Sequence, residues 1–140
     1  MNWDHKDEWR VRGDHFLVTI TRHYGPTSGQ DHLGPHRWAV YAYIYPGHPR
    51  SELFADDRSI FQPAVTGLPM HGGCSYIDYH ERNGERVSVQ VGADYNHDGD
   101  NYYTSLATAG EARSVFIDAE QLFAVLDAEM KAGCVTKEEP

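Results

Sequence analysis

Two strand-like runs, Cys74 to Glu81 and Arg86 to Ala93, flank the dipeptide Asn83-Gly84, and this arrangement constrains the fold more than any other stretch of the chain. Alternating apolar residues on either side of Asn-Gly are a hairpin signal, because both turn positions tolerate a left-handed backbone. The register can be argued from side-chain chemistry. A two-residue loop at Asn83-Gly84 pairs Val89 with Asp78 and Val87 with His80, which sets a carboxylate on the apolar face at a desolvation cost. A three-residue loop, Arg82-Asn83-Gly84, pairs Ile77 with Val89 and Tyr79 with Val87, with Gly84 at the left-handed position of a G1 bulge. The second register is expected. It leaves Tyr76, Asp78, His80, Ser88 and Gln90 on the polar face.

The remaining periodicities suit the same architecture. Phe16, Val18 and Ile20 alternate with Leu17, Thr19 and Thr21, as in a strand. Arg37 to Tyr45 reads as a strand with Trp38, Val40, Ala42 and Ile44 on one face and Ala39, Tyr41, Tyr43 and Tyr45 on the other. Tyr24 to Pro35 is rich in glycine and proline and predicts a loop. Pro46-Gly47-His48-Pro49 ends the second strand, with His48 read as a turn residue. A short helix is expected within 50–57, an irregular segment over Phe61 to Pro69, and a polar loop over Asn101 to Ser114. Asp118 and Gln121 form a capping box, Ile117 and Leu122 a hydrophobic staple, and Leu122, Phe123, Leu126 and Met130 an apolar stripe, so a helix is expected from Asp118 to a stop at Gly133. The fold class is therefore α+β: an antiparallel sheet of about four strands with a C-terminal helix packed on one face. Residues 13–134 make the domain, 1–12 a loose polar lead-in tacked down by Trp3 and Trp9, and 135–140 a fraying tail.

Composition narrows the functional classes. At 140 residues with 40% hydrophobic content the chain can bury one sizeable core. Net charge is −9 and the 12 basic residues are scattered, so nucleic acid is not an expected partner. The acids are scattered too, which makes solubility a plainer reading of the charge than DNA mimicry. Cys74 and Cys134 lack zinc spacing and are expected as free thiols, a single disulfide being the alternative. The polar N-terminus carries no signal-peptide h-region, and no apolar run approaches the ~18 residues of a membrane span. A cytoplasmic location and no membrane partner are expected.

Residues with chemistry concentrate between Met70 and Asp100. Asp94, Asn96, Asp98 and Gly99 fit positions 1, 3, 5 and 6 of an EF-hand loop, but Ser105 stands at position 12 and Asn101 at position 8, and a strand precedes the segment. A solvated turn and a non-EF calcium turn both remain. A different set, His71, Asp94, His97 and Asp100, would suit a divalent transition metal and a metal-activated water, or general acid and base work without metal. Gly72 and Gly73 would let a ligand approach the backbone. The stripe of Tyr41, Tyr43 and Tyr45 could stack a base, line a partner interface, or form a second apolar layer beneath long loops. Cys74 beside His71 raises a thiol-protease reading that needs spatial support. No GxSxG, Walker, GxGxxG or HExxH motif occurs.

Three short motifs, Gly47-His48-Pro49, His71-Gly72-Gly73 with Tyr76, and Asp94-x-x-His97-x-Gly99-Asp100, resemble those of a family of small uncharacterised proteins encoded by phages and prophages. The resemblance covers roughly residues 40–130 and includes a C-terminal helix. It keeps Asp94, His97 and Asp100 but not Asn96 or Asp98, which favours the His/Asp cluster over calcium. The chain departs from it at Tyr95 and Asn96. The resemblance implies a phage accessory protein, with counter-defence among the roles such origin suggests. The functional expectation is a binding protein for a small ligand or a host protein, using His71, Gly72, Gly73, Tyr76, Asp94, His97 and Asp100. The alternatives are a small metal-dependent hydrolase built on the same cluster and a structural virion or interaction protein.

Overall fold

The computed structural model describes residues 4–5, 7–24, 34–95 and 101–135. Its frame is an α+β arrangement of one antiparallel sheet with the C-terminal helix packed across one face. The strands are β1 (Asp4–His5), β2 (Glu8–Gly13), β3 (Phe16–Tyr24), β4 (His36–Ile44), β5 (Tyr76–Arg82) and β6 (Glu85–Asp94), in the order β1-β2-β3-β4-β6-β5. The sequence predicts about four strands, which correspond to β3, β4, β5 and β6. The two further strands come from the supposed lead-in. β2 pairs along its whole length with β3, and Trp9 is opposite Ile20 with its indole stacked on Trp38 at 5.4 Å between centroids. Arg10 and Arg12 disguise this strand as a polar tail, because they occupy its solvent-facing side while Trp9 faces the core.

One face of the sheet is continuous and apolar. Phe16 lies opposite Ile44, Val18 opposite Ala42 and Ile20 opposite Val40; β4 then sets Ile44, Ala42 and Val40 against Val89, Val91 and Ala93. These side chains are all buried, with α3 (Arg113–Ala132) packed across β3 and β4 and with Phe54, Ala64, Val65 and Leu68 in the same core. The helix begins five residues before Asp118, at Arg113, with Ala112 in the capping position and no side-chain cap. The reason lies in the stripe: Ala112, Val115, Ala119, Leu122 and Leu126 are all buried at helical spacing, so packing extends the helix past the capping box. Ile117 is exposed and is not a staple. Gly133 closes the helix as expected, its N–H donating to the Glu129 carbonyl at 2.9 Å.

The hairpin combines features of both registers considered. The loop is the two-residue one, with Asn83 and Gly84 at φ of 52° and 79° and Arg82 opposite Glu85. Beyond Glu81 opposite Arg86 the ladder resumes with His80 opposite Ser88, so Val87 is an extra, bulged residue. The bulge shifts the phase by one, Tyr79 comes opposite Val89, and Asp78 comes opposite Gln90 on the other face. The expected polar membership therefore holds, and Ile77, Tyr79, Val89 and Val91 keep the apolar face; Val87, expected opposite Tyr79 on that face, is instead the exposed bulge residue, and the partners are displaced by two.

Short turns fill the long connections: a 3-10 turn at Ser51–Leu53, α1 (Pro63–Thr66) with its proline at the helix start, and α2 (Asn101–Thr104). His48 is more than a turn residue. It is 1% exposed; its Nδ1 accepts the Arg50 N–H at 3.1 Å, so Nε2 carries the proton and donates to the Leu126 carbonyl at 2.9 Å. Arg50 is buried beside it, donating from Nε to Glu129 Oε1 at 2.9 Å, from Nη2 to Glu129 Oε2, and from Nη1 to the Ala64 carbonyl at 2.8 Å. The 46–66 connection is thus bolted to α3. Among the described residues no helix is long and apolar enough to cross a membrane.

Candidate functional site

The two described members of the predicted cluster, Asp94 and His71, belong to opposite faces of the sheet. β6 ends at Asp94, which shares the face opposite α3 with Tyr41 and Tyr76, while the next residue, Tyr95, turns to the helix side and is fully buried. His71 belongs with Tyr95. The imidazole stacks on the phenol ring at 4.3 Å between centroids and 16° between planes, and meets Tyr103 edge-on at 5.1 Å. Tyr103 also packs on Tyr95 at 4.9 Å. The Tyr95 hydroxyl donates to Asp118 Oδ2 at 2.5 Å, so the carboxylate read as a helix cap anchors this aromatic stack to α3. Beside it lies a cleft of about 230 Å³ lined by Pro69, Met70, His71, Asp118 and Gln121.

Gly72 and Gly73 flank the cleft with φ of 68° and 85°. Their left-handed backbone makes the turn that carries the chain from Met70 into β5. The Gly73 N–H donates to the Met70 carbonyl at 3.0 Å, so this amide holds the turn instead of awaiting a ligand. Cys74 Sγ donates to the Tyr76 carbonyl at 3.0 Å, and burial pushes its thiol up, against the opposing effect of backbone hydrogen bonds to Tyr76 and Gly92. A raised thiol is a poor nucleophile near neutrality, which removes support from the thiol-protease reading.

His97 and Asp100 lie outside the described residues, as do Asn96, Asp98 and Gly99 of the calcium reading. Among the described residues no group of three or more His, Cys, Asp or Glu side chains is placed to hold a metal ion. Cys74 and Cys134 are free thiols.

Tyr41, Tyr76 and Asp94 form a second group on the face opposite α3. Tyr41 and Tyr76 meet edge-on at 5.5 Å, one on each side of Gly92, and a Cβ on Gly92 would stand 2.2 Å from Tyr41 Cδ1. The glycine is therefore a seat for the Tyr41 ring. Tyr43 stacks on His80 at 6.1 Å, and His80 Nε2 lies 2.8 Å from Gln90 Oε1. Desolvation raises the Tyr41 hydroxyl above its ordinary value, with Tyr76 and Asp94 adding to the shift. Desolvation also raises Tyr43, followed by Glu8 and the neighbouring tyrosines Tyr41, Tyr76 and Tyr45. The folded state thus holds these two phenolic protons more tightly than the unfolded chain. Their contribution to stability is full below the ordinary phenol value of 10.0 and is lost as pH rises through the folded-state values. Titration followed by phenolate absorbance is expected to resolve a late-ionising pair among the nine tyrosines, with stability falling across the same alkaline window.

Sequence reasoning missed Tyr95, Tyr103 and Asp118 as neighbours of His71. The tyrosines at 95, 102 and 103 were a usable signal, since aromatic residues around a polar loop need something to pack on. Tyr95→Phe is expected to lower stability by about 1–2 kcal/mol, because Asp118 loses a phenolic donor but keeps access to water; chemical denaturation of the two proteins reads the difference. Comparison with protein-family models, with curated proteins and with solved structures found no match for this chain.

Proposed function

We propose that this protein is a non-catalytic binding protein that takes a small polar ligand in the cleft between residues 69–71 and α3. The proposal retains the phage accessory role, counter-defence included, that the short motifs imply by resemblance. It changes the membership of the binding surface: His71 stays, Asp118 and Gln121 join it, and Tyr76 and Asp94 belong to the other face. The supporting observation is the stack of His71 on Tyr95, whose hydroxyl is held by Asp118 at 2.5 Å. Side chains locked by packing and by a charged hydrogen bond give a ligand a prearranged surface, which lowers the ordering cost of binding. A cleft of about 230 Å³ accommodates a fragment-sized ligand and is too small to seat a protein partner by itself.

A screen of small polar metabolites by thermal shift tests the reading. A genuine ligand raises the melting temperature of the native protein, by mass action, and fails to do so for His71→Ala and Asp118→Ala. Stabilisation that survives both substitutions would place the site elsewhere. Stoichiometric transition metal in the purified protein, lost on His71→Ala, would replace this reading with the hydrolase.

A further inference from the structure

The cleft has two chemically distinct walls. Pro69 and Met70 offer apolar contact, whereas Asp118 and Gln121, three residues apart on α3, offer acceptors. The Asp118 carboxylate accepts one hydrogen bond, from Tyr95, and among the described residues no arginine or lysine is paired with it. One phenolic donor leaves most of the four lone-pair sites of a carboxylate open. The Gln121 side chain is exposed one helical turn along, where its amide oxygen can share a donor with Asp118. Among the described residues Asp118 is the one carboxylate lining the cleft, and the whole chain carries a net charge of −9.

We propose, resting on the binding reading above, that the ligand of this cleft is a small organic cation: an ammonium head group on a short alkyl stem. The head group donates N–H bonds to the Asp118 carboxylate and the Gln121 amide oxygen. The stem lies along Pro69 and the Met70 thioether, whose flexible, polarizable chain adapts to such a surface. Hydrogen bonds between opposite charges exceed neutral ones in strength, and the negative field of the protein raises the local concentration of cations. An anionic ligand of the same shape would meet Asp118 and the net charge unfavourably.

Three probes of one shape separate the possibilities: n-butylammonium, n-butanol and n-butyrate, titrated at matched ionic strength into protein with the Met70 methyl and the Tyr95 ring observed by NMR. Butylammonium is expected to shift both sets of resonances and to bind about tenfold or more tightly than butanol, the margin of one charge-assisted hydrogen bond. Asp118→Asn, which keeps an oxygen for the Tyr95 hydroxyl, is expected to abolish that margin. Equal binding of butanol and butylammonium to the native protein overturns the cation assignment whether or not the variant folds. So does undiminished butylammonium binding to Asp118→Asn. Butyrate as the one active probe also overturns the cation but leaves the cleft as a binding site. Silence from all three at Met70 and Tyr95 removes the site and the ligand class together.

Discussion

Glu129→Ala is expected to lower stability by about 3–5 kcal/mol, read as a reduced urea midpoint by far-UV circular dichroism. Glu129 and Arg50 are 4% and 3% exposed, and the carboxylate takes both Nε and Nη2 of the guanidinium. Removing the carboxylate leaves a buried cation that cannot discharge, since a guanidinium keeps its proton at any accessible pH. The Ala64 carbonyl and water are its remaining recourse, and water can reach it only if the 46–66 connection lifts from α3. The double variant Arg50→Met with Glu129→Leu separates pairing from packing. It is expected to lose far less than the single variant, because it removes both charges and their desolvation together. A loss below ~1 kcal/mol for Glu129→Ala would mean the pair is hydrated in solution.

Trp38→Ala is the second large effect, with an expected loss of about 3–5 kcal/mol. Its indole is 1% exposed, stacks on Trp9 at 5.4 Å, faces Phe116 at 6.2 Å and donates Nε1–H to the Leu106 carbonyl at 2.9 Å. The substitution opens a void between β2, β4 and α3 and strands that carbonyl. Trp38→Phe divides the cost: it keeps an aromatic ring and loses the donor, so it is expected to cost about 1–3 kcal/mol. A Trp38→Ala loss no larger than that of Trp38→Phe would show that collapse of the neighbouring rings fills the space.

How far the chain could be read in advance varies with the range of the interaction concerned. The alternations in 16–21, 37–45, 74–81 and 86–93 are local, and they correctly define the apolar face and the fold class. The Val87 bulge was not legible, because a two-residue turn with a later bulge satisfies the same pattern as a longer loop. β2 was missed because its strand signal rests on Trp9 and Val11 among charged neighbours. The helix start was misread because Asp118 and Gln121 match a capping signature locally, while the burial of Ala112 and Val115 depends on the sheet beneath. The roles of His48 and Arg50 depend on Leu126 and Glu129, nearly 80 positions away. In the site, His71 was legible as a polar outlier. Its partner Tyr95 was not, because the parity that sends Asp94 and Tyr95 to opposite faces becomes visible only once β6 is paired with β4.

Val87 has a consequence for how this hairpin tolerates change. Its side chain is exposed, so exchanging it for another residue disturbs little. Deleting it is expected to be tolerated as well. Glu81 already stands opposite Arg86 and His80 opposite Ser88, so loss of the residue between them closes the bulge and leaves a regular two-residue hairpin with Tyr79 still opposite Val89. The strand can shed one link here while Ile77 and Tyr79 keep their inward aspect.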